Sequence, residues 1–196
     1  MSKSVDFFFD VGSPSSYLAW TQLPALCASH GAELVYRPML LGGVYQATGN
    51  ASPATIPVKG RYTQMDYERH ARRYGVPFQG NPHFPVITLF LMRAVTGIQL
   101  RRPEQLQQLL GCVFKALWID ALNLNDAQLT ARILAEGGFD PAEIERLTQD
   151  AEIKAALKAT TQEAVGRGVF GAPTLFVGDQ MFFGQDRMDF VREALS

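Results

Sequence analysis

The chain has 196 residues, 47% of them apolar and 19% charged, with a formal net charge of −1. That length and composition bury one substantial core and exclude a disordered or fibrous protein. The near-neutral balance, with Lys and Arg scattered, provides no field for nucleic acid or an anionic membrane, and no stretch approaches the roughly 20 apolar residues of a membrane span.

In chain order, Met1-Ser2-Lys3-Ser4 leads into too few apolar residues for a secretion signal, so a cytoplasmic location is expected. An apolar strand, Val5 to Val11, is followed by Gly12-Ser13-Pro14-Ser15-Ser16-Tyr17, a helix over about 14–29 and a second strand at Glu33 to Pro38. Ser13 stands where an N-cap belongs and Pro14 at the first helical position. Pro24 is expected to kink this helix. The unit is a right-handed parallel βαβ.

Residues 39–57 are rich in Gly, Ser, Thr and Pro and read as a long irregular segment able to close over a ligand. Helical patterns follow at about 61–74, 85–96, 103–122, 126–136, 141–148 and 151–167, separated by breakers such as Asn81-Pro82, Gly137-Gly138 and Asp140-Pro141. The chain returns with a strand at 174–177, a Gly178-Asp179 hairpin turn, a strand at 181–183 and a last helix at about 186–195. The expected fold is α/β and thioredoxin-like (βαβ … ββα) with a large all-helical domain inserted. Residues 1–42 and 168–196 would form the thioredoxin-like part and 43–167 the insertion.

Three constellations carry chemistry. A helix N-terminus offers unpaired N–H groups and partial positive charge, so a thiolate beside Ser13 is stabilised over its thiol, and the hydroxyl can add a hydrogen bond. Read alone, Ser-Pro after a strand is also an ordinary helix start. Gly168-Val169-Phe170-Gly171-Ala172-Pro173-Thr174 precedes the third strand; in a thioredoxin-type site a cis proline here turns the backbone of Ala172 toward a peptide-like ligand, whereas an ordinary loop proline would be trans. Phe183-Gly184-Gln185-Asp186-Arg187 puts an amide, a carboxylate and a guanidinium together, suited to a zwitterionic amino acid end, or simply to helix capping by Asp186.

Weaker signals are Asn50, Lys59, Arg61 and the Asn81-Pro82-His83-Phe84-Pro85 turn, where His83 serves either a substrate or local hydrogen bonding. His30 reads as a partner of a helix C-terminus and His70 as part of a solvated helix face. Trp118 reads as core. Cys27 and Cys112 lie far apart with no CxxC or metal-type spacing, so both read as reduced core residues and no metal is expected.

Phe9-Asp10, Ser13-Pro14, Ser16-Tyr17-Leu18-Ala19, the Asn81 to Pro85 turn, Gly168 to Thr174 and Phe183 to Arg187 together resemble the 2-hydroxychromene-2-carboxylate isomerase family, from Val5 to Leu195. That family is DsbA-like and similar to kappa-class glutathione transferases. The resemblance implies glutathione as cofactor, with Ser13 facing its sulfur, Ala172 before a cis Pro173 pairing with the cysteinyl backbone, Gln185 and Asp186 holding the γ-glutamyl end, and Arg187 as a further cofactor-binding residue. Asn50 and Lys59 match further contacts, and His83, Phe84 and Phe183 would meet the substrate. Ser15 and Phe183 depart from the residues that many relatives carry, and both bear on the shape of the acceptor pocket.

The implied reaction converts 2-hydroxychromene-2-carboxylate to trans-o-hydroxybenzylidenepyruvate in aromatic hydrocarbon catabolism. Reversible thiolate addition makes the cis double bond temporarily single. The implied partner is a small aromatic carboxylate, and relatives suggest a homodimer. The nearest alternative is a kappa-like glutathione transferase conjugating a small electrophile. A dithiol oxidoreductase lacks its cysteine pair here, and a non-enzymatic peptide-binding module leaves the match at Asn50, Gln185 and Asp186 unexplained.

Overall fold

The computed structural model describes residues 3–196. One sheet runs β2 (Glu33–Pro38), β1 (Ser4–Phe9), β3 (Thr174–Val177) and β4 (Gln180–Phe183), in that spatial order. β1 and β2 are parallel and joined by α1 (Pro14–Ser29), while β3 is antiparallel to β1 and to β4. The register sets Phe7 opposite Leu175, and Leu175 opposite Phe182. With α9 (Met188–Leu195) closing the chain, this is the expected thioredoxin-like arrangement.

β1 reads as an almost unbroken apolar run because both of its faces are covered. Val5, Phe7 and Phe9 enter the main core with Leu175 and residues of α1, α4 (Leu89–Arg101), α5 (Leu106–Trp118) and α9. Phe8 points the other way, into a second cluster with Met39, Val44, Ala164, Val169 and Phe176. α2 (Leu41–Thr48) and α8 (Ala151–Gly166), at the two ends of the helical block, supply Val44 and Ala164 to that cluster. Arg167 caps it, its guanidinium 3.7 Å from the Phe176 ring and 2.6 Å from Asp6. The block also contains α3 (Pro57–Tyr74), α6 (Ala127–Glu136) and α7 (Pro141–Gln149).

Several boundaries differ from the sequence pattern. Residues 39–57, expected to be irregular, hold α2 and a single 3₁₀ turn at Pro53–Thr55. Gly42 and Gly43 look like breakers, yet a Cβ on Gly43 would stand 3.3 Å from Thr161 in α8, so a small residue suits close helix packing there. α4 begins at Leu89, later than expected; the Thr88 hydroxyl that would cap it is directed to Asp10 instead. α5 stops at Trp118, and Ala121 beyond it has φ 53°. α1 runs through Pro24 without interruption. His30 closes α1, its Nδ1 lying 3.0 Å from the Leu26 carbonyl, as read from its position. His70, expected on a solvated face, is half-buried, 3.7 Å from Asp66 and against the Tyr74 ring.

Candidate active site

The β1–α1 turn brings Ser13 to the wall of a cavity of about 520 Å³. Ser13 has extended backbone and caps α1: its Oγ accepts from the Ser16 N–H at 3.1 Å and donates to the Ala172 carbonyl at 3.0 Å. The Ala172–Pro173 bond is cis, as is Phe84–Pro85. Among the described residues the Ser15 and Ala172 N–H groups make no hydrogen bond. Ser13, Ser15 and Ala172 all line the cavity, so the α1 N-terminus with its Ser13 hydroxyl and the Ala172 backbone border one space, an arrangement that favours an anionic atom.

Beneath the turn lies Asp10, 1% exposed. Its carboxylate accepts from the Gly12 N–H, the Leu41 N–H and the Thr88 hydroxyl, each at 2.9 Å, and its own carbonyl accepts from the Ser13 N–H at 3.0 Å. One buried side chain thus holds the Ser13 turn to the start of α2 and to the approach of α4. Burial pushes its pKa up, against the pull of the three donors. Sequence reasoning missed this role; the available signal was a lone carboxylate closing the run Phe7-Phe8-Phe9.

Opposite, Asn50, Gln185, Asp186 and Arg187 all line the cavity. The Asn50 amide donates to the Phe170 carbonyl at 2.8 Å. Gln185 is 3% exposed, its Oε1 accepting from the Tyr74 hydroxyl at 2.7 Å. Asp186 pairs with Arg187 at 2.6 Å. Phe84 and Trp118 form an aromatic wall, and Phe183 packs at a tilt against Phe170 with centroids 4.6 Å apart. Trp118 is core, as expected, and wall as well: it is buried, and its indole N–H donates to the Val11 carbonyl at 2.9 Å. Lys59, Arg61 and His83 are exposed and do not line the cavity. The buried Asn81 ties its own turn to α5 and beyond, donating to the Leu117 and Leu122 carbonyls.

Tyr45 and Tyr67 also line the cavity and were not singled out from sequence. Burial, with Tyr45, Asp66 and Asp186 nearby, pushes the Tyr67 phenol up to about 12; burial and then Asp10 raise Tyr45. Both are neutral donors at physiological pH. Neither cysteine reaches the cavity: Cys27 is buried with its thiol pushed up to about 11, and Cys112 is raised chiefly by burial too. Among the described residues there is no cluster of three or more His, Cys, Asp or Glu placed to hold a metal, and no helix long and apolar enough to cross a membrane.

Fold and site define a thioredoxin-type protein whose β1–α1 turn carries Ser13 and no cysteine, and residues 4–196 match the DSBA-like thioredoxin domain. A 2-hydroxychromene-2-carboxylate isomerase of Sphingobium xenophagum is 30% identical over 197 residues, covering 100% of this chain and 99% of that relative. The solved structure of a 2-hydroxychromene-2-carboxylate isomerase superposes with a TM-score of 0.83 at 29% identity, over 98% of this chain and 94% of that one. Glutathione S-transferase kappa 1 of Rattus norvegicus is 28% identical over 200 residues, 95% of this chain and 88% of its own. The chain belongs to the DSBA-like thioredoxin family and, within it, to the family of the 2-hydroxychromene-2-carboxylate isomerases.

Proposed function

We propose that this protein uses glutathione to isomerise 2-hydroxychromene-2-carboxylate to trans-o-hydroxybenzylidenepyruvate. The observation that carries the reading is the junction of Ser13, the α1 N-terminus and the Ala172 backbone in a cavity reached by neither cysteine of the chain. A site shaped for a thiolate that contains no thiol takes one from its ligand.

Ser13, swinging its proton from the Ala172 carbonyl to the sulfur, holds the thiolate with the Ser15 N–H. Ala172 pairs with the cysteinyl backbone, and Gln185, Asp186 and Arg187 hold the γ-glutamyl end. Asn50 adds a polar contact, and Lys59, on the exposed first turn of α3, reaches the ligand only by extending over the rim. Phe84, Trp118, Phe170 and Phe183 enclose the aromatic substrate, and His83 stands outside that wall.

The hemiketal ring opens first: its C2–O bond to the aromatic ring breaks, the hydroxyl proton passes to the released phenolate oxygen, and a ketone conjugated to the cis alkene results. The thiolate adds to that alkene: a C–S bond forms and the π electrons move onto the ketone oxygen as an enolate. The former double bond rotates. The enolate then collapses, the C–S bond breaks and glutathione is regenerated, so nothing is consumed. Tyr45 and Tyr67, neutral and lining the cavity, are the donors available to the enolate oxygen.

A kappa-like transferase is the second reading, favoured by the relatives named as kappa-class transferases. An absorbance time course with catalytic glutathione, free thiol being followed in parallel, separates the two. Conversion at constant thiol supports the isomerase; loss of thiol with product supports the transferase. No glutathione-dependent conversion of the chromene overturns the isomerase assignment. The same reading includes a cytoplasmic homodimer, checked by cell fractionation and by light scattering of the purified protein.

A further inference from the structure

Gln185 is the most deeply buried polar side chain on the ligand side of the cavity, and its orientation is set from behind. The Tyr74 hydroxyl lies 2.7 Å from the Gln185 Oε1 and 3.0 Å from the Gln185 carbonyl, bridging side chain and backbone of one residue. Tyr74 does not line the site. It faces a second cavity of about 500 Å³ between α1, α3 and α9, and Asp186 borders both spaces. The wall between the cavities is therefore Gln185-Asp186 backed by Tyr74.

The phenol is half-buried and its pKa is raised by burial, then by Asp186, so it stays a proton donor through the physiological range. The His70 ring, one turn earlier on α3, lies tilted against the phenol ring with centroids 5.6 Å apart. A terminal amide has one acceptor end and one donor end. With the acceptor end occupied by Tyr74, the NH₂ end is the one left for the cavity. Asp186 beside it offers acceptors. Donor and acceptor side by side match the carboxylate and ammonium of an α-amino acid head.

We propose that Tyr74 is a positioning residue for ligand recognition: by fixing the Gln185 amide it turns the NH₂ toward the cavity and so sets selectivity for a ligand bearing a free amino acid head. The role rests on the glutathione reading above and adds to it a residue outside the site. Tyr74 acts only through Gln185, and this separates it from a residue that merely supports the fold.

The test is a double-mutant cycle on the full chain, with glutathione binding measured by titration calorimetry for wild type, Tyr74→Phe, Gln185→Ala and the double variant. Tyr74→Phe keeps the ring and its packing. Loss of one hydrogen bond to a buried amide weakens glutathione binding by about tenfold in the wild-type background. In the Gln185→Ala background the same change produces no further loss. An equal loss in both backgrounds, or no loss in the first, overturns the positioning role while leaving glutathione binding in place. Failure of wild type to bind glutathione overturns the glutathione reading, and this role with it.

Discussion

Replacing Ser13 with Ala tests the central claim, because it separates the hydroxyl's structural work from its chemical work. Ser13 is 5% exposed, and its Oγ makes two hydrogen bonds, to the Ser16 N–H and the Ala172 carbonyl. Losing an N-cap costs about 1 kcal/mol. The Ala172 carbonyl losing its partner adds about 1 kcal/mol. For a chain of this size, a total of about 1–2 kcal/mol lowers Tm by roughly 2–8 °C. With glutathione bound, the hydroxyl instead donates to a charged sulfur, a bond worth about 1.5–3 kcal/mol. Its removal raises the pKa of the bound thiol by about 1–2 units, at 1.36 kcal/mol per unit. At neutral pH, kcat/KM then falls by about 10- to 150-fold.

The assay is ultraviolet thiolate absorbance of the glutathione complex across pH, alongside thermal unfolding and turnover. Asp126→Ala serves as the control: Asp126 caps α6 by accepting from the Gln128 and Leu129 N–H groups, and it does not line the cavity. It lowers Tm comparably and leaves the bound thiol's pKa unchanged. If Ser13→Ala lowers Tm while the thiol pKa and kcat/KM stay within about twofold of wild type, Ser13 is only a helix cap and the reasoning fails.

Other expectations follow from buried groups. Asp10 has a native pKa raised above its usual 3.8, so in the window above 3.8 the native state takes up its proton before the unfolded chain does. The stability of wild type relative to Asp10→Asn therefore increases as pH falls through that window; denaturant titrations at several pH values check this, and a flat or opposite trend refutes it. Because the Cys27 thiol sits near 11, about 0.1% is thiolate at pH 8. Cys27→Ala/Cys112→Ala is expected to retain glutathione-dependent turnover, and inactivation of that variant would mean that the chain supplies its own thiol. Trp118→Phe deprives the buried Val11 carbonyl of its 2.9 Å partner and costs about 1–3 kcal/mol, read by urea unfolding. An unchanged midpoint would show that the carbonyl finds another donor.

The strand–helix–strand opening, the closing hairpin and the order of the helices were legible in the sequence because their causes are local. Period-2 and period-3.6 patterns, Ser13-Pro14 at a helix start and Gly178-Asp179 at a turn each act within a few residues. Asn50, Gln185, Asp186 and Arg187 were likewise legible as site candidates, since unusual polar groups stood beside turns. Long-range pairing was legible only where the thioredoxin-type pattern carried it, in setting the Ser13 turn against the Ala172-Pro173 loop, 159 residues away. The contacts of Tyr74 with Gln185 across 111 residues and of Asp10 with Thr88 across 78 were not. Those contacts exist because the sheet order β2-β1-β3-β4 and the helical block bring distant loops onto one cavity. The same physics separated Lys59 and His83 from the cavity lining, and turned a glycine-rich stretch into α2 by packing it against α8. Local sequence determined which elements form and where polar chemistry is concentrated; only the tertiary packing decided which of those groups share a wall, because burial and donor–acceptor pairing depend on neighbours that the linear chain does not place together.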